Sequence, residues 1–267
     1  MDVAPSARPS WREPAVTFLV SIALASGLFW AGRVVPVIRH NLHAAIAVIF
    51  LYAPVVAGRF TGRRFDFHDA GLRLDPLRTN LAVLAAVVAV TFPLFVLAFF
   101  QFYNVVCGTG AAGDNSNLAG TAHELVRRLC PGAGWQAGAE AASGLAAHAA
   151  QLRLPASFAL LAANQVLVVA LPEEMFFRGY LLGRLEEVWP PDRRLFGAPV
   201  GGALVASAAL FALGHFLVDF NPARLAVFFP GLVFGWMRAR TGSIAAGTAY
   251  HALCNLLADV LHTSYFA

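Results

Sequence analysis

The chain has 267 residues, of which 58% are hydrophobic and 13% charged, with a net charge of +4. A soluble domain carries about 25% charged residues, so this composition excludes an ordinary soluble globule and implies one polytopic membrane bundle rather than several domains. All 19 basic residues are arginine, and so small a positive excess suits loop arginines that set topology better than a nucleic-acid surface.

Residues 1–14 read as a polar cytoplasmic tail containing Arg8 and Arg12. Val16 to Ala31 is a first span, uncleaved because its apolar run passes the small residues Ala23–Ala25 where a signal peptide would end. A second span covers Leu42 to Ala57, with Pro54 tolerable near its end. Arg59 to Asn80 is a polar loop. Leu81 to Tyr103 is the clearest span, long enough for a core of roughly 30 Å. Residues 15–103 are therefore assigned to N-terminal transmembrane helices. An extramembrane insertion, 104–156, follows, glycine- and asparagine-rich and then alanine-rich.

Residues 157–262 form the second group of spans. Phe158 to Leu171 leads into two glutamates, and the helical pattern runs to about Trp189, where Pro190 and Pro191 stop it. Val200 to Val218, Leu225 to Met237 and Ile244 to Leu261 complete an all-α bundle of about seven spans. With the N-terminus inside, thirteen arginines lie on the cytoplasmic side against six outside, so an N-in integral membrane protein is expected, in a bacterial inner membrane. Cys107 and Cys130 then share one extracytoplasmic loop, either paired if that compartment oxidises them or left as two thiols. No cysteine pair has metal-knuckle spacing.

Ionisable residues inside spans are expensive, roughly +2.5–3.5 kcal/mol for an acid at a bilayer centre on lenient scales, and mark functional sites. Three constellations stand out. Glu174 and Arg178 are i, i+4 neighbours that can pair. Glu173 lies about 100° around the helix from Glu174, so the two acids take different roles. Phe211 and His215 share a face of the fifth span. His251 and Asn255 share a face of the seventh. Alone, the last two are ordinary bundle contacts. Together, the six groups can hold a water in a dry, enclosed site. A carboxyl group in low-dielectric surroundings is tuned towards general-base work, and histidine and asparagine can donate to a developing oxyanion. That set describes amide hydrolysis by activated water.

These residues resemble the CPBP intramembrane protease family, which includes CAAX-processing endopeptidases and bacteriocin-processing or self-immunity proteins. The resemblance covers Ala162 to Leu257 and rests on EExxxR (Glu173, Glu174, Arg178), FxxxH (Phe211, His215) and HxxxN (His251, Asn255). FRGYL after the glutamates and RTGSI before His251 also fit. It implies a helical endopeptidase acting on membrane-anchored or lipid-modified proteins or peptides. Glu173 would be the water-activating base, Glu174 and Arg178 its support, and His215, His251 and Asn255 the remaining wall. No cofactor is expected. Zinc held by Glu173, His215 and His251 is the alternative, disfavoured by the nearby arginine and the absence of HExxH spacing. No nucleic-acid partner is expected. Two other functions fit less of the sequence: a non-catalytic immunity or scaffold protein, and a proton-coupled transporter, against which the lack of an inverted repeat argues.

One geometric tension remains. His215 lies roughly 22 Å along its span from Val200, whereas His251 lies roughly 10 Å from Ile244, although both spans start on the same side.

Overall fold

A computed structural model describes residues 10–103 and 152–266. Cys107, Cys130 and nearly all of the 104–156 insertion lie outside the described residues. The described chain is helical apart from its loops and one hairpin. The helices are α1 (Arg12–Gly32), α2 (Pro36–Thr61), α3 (Leu77–Tyr103), α4 (Phe158–Val188), α5 (Gly202–Asp219), α6 (Phe228–Thr241) and α7 (Ala245–Phe266).

All seven expected segments are helical, and α1 to α5 are long and apolar enough to cross a membrane. Helix α6 has 14 residues; at about 1.5 Å per residue it spans some 21 Å, short of a bilayer core. The protein is an integral membrane protein of the all-α class.

The first span begins earlier than its hydropathy indicates. Arg12 and Glu13 belong to α1, not to a polar tail. The reason is tertiary. The Glu13 carboxylate meets Arg63 Nη1 at 3.1 Å and Arg184 Nε at 3.3 Å, and accepts a hydrogen bond from the Tyr180 hydroxyl at 3.3 Å. Glu187 closes the ring by pairing with both arginines. The polar start of α1 is thereby fastened to the loop after α2 and to the end of α4.

Glu13 is almost fully enclosed, with 7% of its side chain exposed. Removing one partner of such a network typically costs about 3–5 kcal/mol. Glu13→Ala is therefore expected to lower the thermal unfolding midpoint in detergent well beyond an exposed control such as Asp192→Ala. Equal midpoints would show that the ring contributes nothing to stability.

Helix ends follow local chemistry. Helix α2 begins with Pro36 at its first position and stops at Gly62, φ 69°, while α6 stops at Gly242, φ 73°. Both are left-handed glycine terminations. A two-stranded hairpin, β1 (Arg193–Leu195) and β2 (Ala198–Val200), joins α4 to α5. Its two-residue turn, Phe196 and Gly197, has positive φ at both positions, the geometry that matches strand twist.

Two compact units are present. Among the described residues, one comprises 10–85 and 163–252; the other comprises 86–103, 152–162 and 253–266. In the second, Phe100 and Leu261 form a small core with Val96, Phe99, Tyr103 and Leu257. In the first, the core is aromatic around α4. Phe50 stacks on Phe176 at 4.8 Å, and Phe177 meets Phe18, Phe50 and Phe211 edge-on.

Candidate active site

The site is built on α4, which is not α-helical throughout. Gln165–Ala170 and Met175–Leu182 are π-helical and bracket Leu171–Glu174. Single π turns inside α-helices recur at functional sites. All eight residues from Met175 to Leu182 are buried, as expected of a helix in contact with protein on every side.

Glu174 is fully buried and Arg178 is 1% exposed. Arg178 Nη1 lies 3.1 Å from Glu174 Oε1, and Nη2 donates to the Gly231 carbonyl at 3.2 Å. The guanidinium carbon sits 4.2 Å from the Phe211 ring centroid and 4.9 Å from that of Phe234. Cation–π contact is strongest when the charge is desolvated. The two rings and one carboxylate thus make burial of this cation tolerable.

Glu174 Oε1 also accepts from His251 Nδ1 at 3.1 Å. The imidazole of His251 stacks on Phe234, 4.8 Å between centroids and 15° between planes. His215 donates from Nδ1 to the Phe211 carbonyl at 2.9 Å. A carboxylate and a carbonyl can only accept, so both histidines carry a proton on Nδ1 and direct Nε2 elsewhere.

Both Nε2 atoms face Glu173. Each lies 3.8 Å from Glu173 Oε2, beyond hydrogen-bonding distance. Glu173 Oε2 itself is buried without a hydrogen-bond partner. Yet the Glu173 and His215 side chains keep 16% and 23% of their surface exposed, against 1% for Glu174. One acid is closed in by Arg178 and His251. The other borders reachable space.

The structure thus brings Glu173, Glu174, Arg178, His215 and His251 together within the first unit. Asn255 is one turn beyond His251 on α7, half-buried, in the second unit. The depth mismatch between His215 and His251 does not prevent convergence, since both reach the same Glu173 oxygen.

Sequence reading missed the residues that shape this cluster. Phe234 supports both Arg178 and His251. Gly231 supplies the carbonyl for Arg178, and a Cβ there would lie 3.3 Å from both Arg178 Nη2 and a Phe211 ring carbon. A Cβ at Gly247 would lie 3.3 Å from Glu174 Oε2. The available signal was Gly231–Gly235, a small-xxx-small pair of the kind that lets membrane helices approach closely.

Glu173, His215 and His251 are zinc-type ligands. Among the described residues, however, the one group whose ligand atoms all lie within 4.8 Å of one another is Asp66, His68 and Asp69, all exposed. The three site residues do not form such a group, and the Arg178 cation adjoins them.

Fold and site together define an α-helical membrane protein with a buried Glu–Arg–His cluster and one accessible carboxylate. Residues 155–257 match the family described as type II CAAX prenyl endopeptidase Rce1-like. That is a family of CAAX-type proteases. No curated protein and no solved structure matched the chain.

Proposed function

We propose that the protein is an intramembrane endopeptidase that cleaves a membrane-anchored or lipid-modified protein or peptide with water activated by Glu173. One observation carries this reading: Glu173 Oε2 faces two imidazole Nε2 atoms at 3.8 Å each, while Glu174 is locked by Arg178 and His251. A water in that gap can donate to Glu173 and lie against the imidazoles. Glu173 takes its proton, and the hydroxide attacks the scissile carbonyl carbon. The oxyanion that develops is met by an imidazole N–H at Nε2 when that ring is protonated. Collapse breaks the C–N bond, and the proton held by Glu173 passes to the leaving amine. Glu174 takes no proton in this scheme. Its bond to Nδ1 fixes the His251 ring orientation, as a carboxylate does for the histidine of a catalytic triad.

No metal takes part in this scheme. Incubation of the purified protein with a chelator is expected to leave cleavage of a farnesylated CAAX peptide unchanged. Loss of activity restored only by added zinc would sink the metal-free mechanism.

The N-terminus is assigned to the cytoplasm of a bacterial inner membrane. The arginine-rich segments that the charge count places on one side do meet: the start of α1, the loop after α2 and the end of α4 share the Glu13 ring, and Arg73 donates to the Gly242 carbonyl at 3.2 Å. Natural substrates are to be sought by mass spectrometry of membrane-protein tails that accumulate in a deletion strain. An unchanged tail profile would favour the non-catalytic immunity or scaffold alternative.

A further inference from the structure

Helices α1 and α2 line a groove of about 830 Å³. None of its lining residues belongs to the Glu173 cluster. The two helices are in close contact near their connection, where a Cβ on Gly32 would come within 3.3 Å of the Arg39 Cα. The groove lies towards their other ends, from Leu24 and Val48 to Ser10 and Arg63. From Arg12 to Leu24 it runs about 18 Å along α1.

Its polarity changes once along that length. The walls are apolar and half exposed at Val16, Val20, Leu24 and Val56. Charge occurs only at one end, at Arg12, Glu13 and Arg63. Glu13 and Arg63 are committed to the ring described above. Arg12 is exposed and makes no ion pair among the described residues. A cavity that is apolar for most of a membrane-spanning length and cationic at one helix end matches an amphiphile lying parallel to the helices.

The walls also discriminate against an extended peptide. Every peptide unit would bring a donor and an acceptor that need partners away from water. Thr17 Oγ1 is already engaged, donating to the Glu13 carbonyl and lying 3.0 Å from the Tyr180 hydroxyl. Ser10 accepts from the Arg12 N–H and Thr61 donates to the Ala57 carbonyl at the charged end, which leaves the hydroxyls of Ser21 and Tyr52 along the apolar wall, too few for a backbone of that length. A hydrocarbon chain needs no partners.

We propose that the α1–α2 groove binds a bilayer phospholipid, with its acyl chains along the Val16–Leu24 wall and its phosphate at Arg12. This assignment does not depend on the proteolytic reading. The phosphate–guanidinium contact is charge-assisted, whereas the acyl chains exchange one apolar surrounding for another.

The test is native mass spectrometry of the full chain released from nanodiscs containing equal phosphatidylglycerol and phosphatidylcholine. One phosphatidylglycerol per chain is expected to survive release, at least tenfold above phosphatidylcholine. Val56→Trp, which fills the groove from α2, should cut retention at least tenfold. Val16→Phe, filling it from α1, serves if the first variant does not fold. Arg12→Gln should abolish the headgroup preference while chain binding persists. Retention unchanged in the filled variants would overturn the proposal. So would one-for-one displacement of the lipid by a farnesylated peptide, which would give the groove to substrate. A benzophenone at position 20 should crosslink to lipid; crosslinking to a second copy or to residues 1–9 would identify a different occupant.

Discussion

Replacing Glu173 by glutamine is expected to lower kcat roughly a thousandfold, within the 10²–10⁴ range of positioned general bases, while leaving the folded bundle intact. The amide occupies the same volume and can still meet a water, but it cannot take the proton. Glu173 has no hydrogen-bond partner at Oε2 and its side chain is 16% exposed, so little structure depends on its charge. The measurement is cleavage of a farnesylated CAAX peptide by purified variant and wild type, alongside thermal unfolding of both. Full activity in Glu173→Gln would remove the general-base assignment. Equal loss of folding and activity would instead make Glu173 structural.

Replacing Arg178 by methionine is expected to act in the opposite way, by destabilising the fold. Arg178 is the salt-bridge partner of the fully buried Glu174. Methionine fills the space between Phe211 and Phe234 but removes the counter-charge of the carboxylate, leaving it only the His251 N–H. Stranding a buried charge costs about 3–5 kcal/mol, enough to unfold a marginally stable protein. The double variant Glu174→Gln with Arg178→Met removes both charges and should recover most of that loss. Activity should not recover, because the glutamine cannot hold the His251 ring as a carboxylate does. A double variant no more stable than Arg178→Met would show that the pair is not the cause. Recovery of cleavage as well as stability would show that Glu174 is dispensable for positioning His251.

The contrast between these variants reflects how differently the two adjacent glutamates are held. Their sequence positions separate them by about 100° on an α-helix, which says that they face different neighbours but not which neighbours. The i, i+4 spacing singles out Glu174 as the acid for Arg178, and the structure has that pair at 3.1 Å. Nothing local assigns Phe211, Phe234 and Gly231 to Arg178, because those contacts come from helices 33 or more positions away in the chain.

Boundaries show the same division. Hydropathy places the starts of both α3 and α1 four residues late, at Leu81 and Val16 rather than Leu77 and Arg12. It misplaces the start of α1, because Arg12 and Glu13 are polar and are helical for a reason that lies in Arg63, Arg184 and Tyr180. The π-helical turns around Glu173 and Glu174 left no mark in the residue pattern either. Those turns pack against α1, α2, α5 and α6, which are distant in the chain.

What the sequence by itself determined was the class of molecule and its chemical inventory. Twenty-residue apolar runs have few solutions other than membrane helices, and three polar constellations on such runs need one another. Tertiary structure alone decided how that inventory is arranged. It enclosed Glu174, left Glu173 at the edge of open space, and turned two Nε2 atoms towards it. Distances of a few ångströms between helices depend on side-chain packing along their whole length, and no local pattern in the chain encodes that sum.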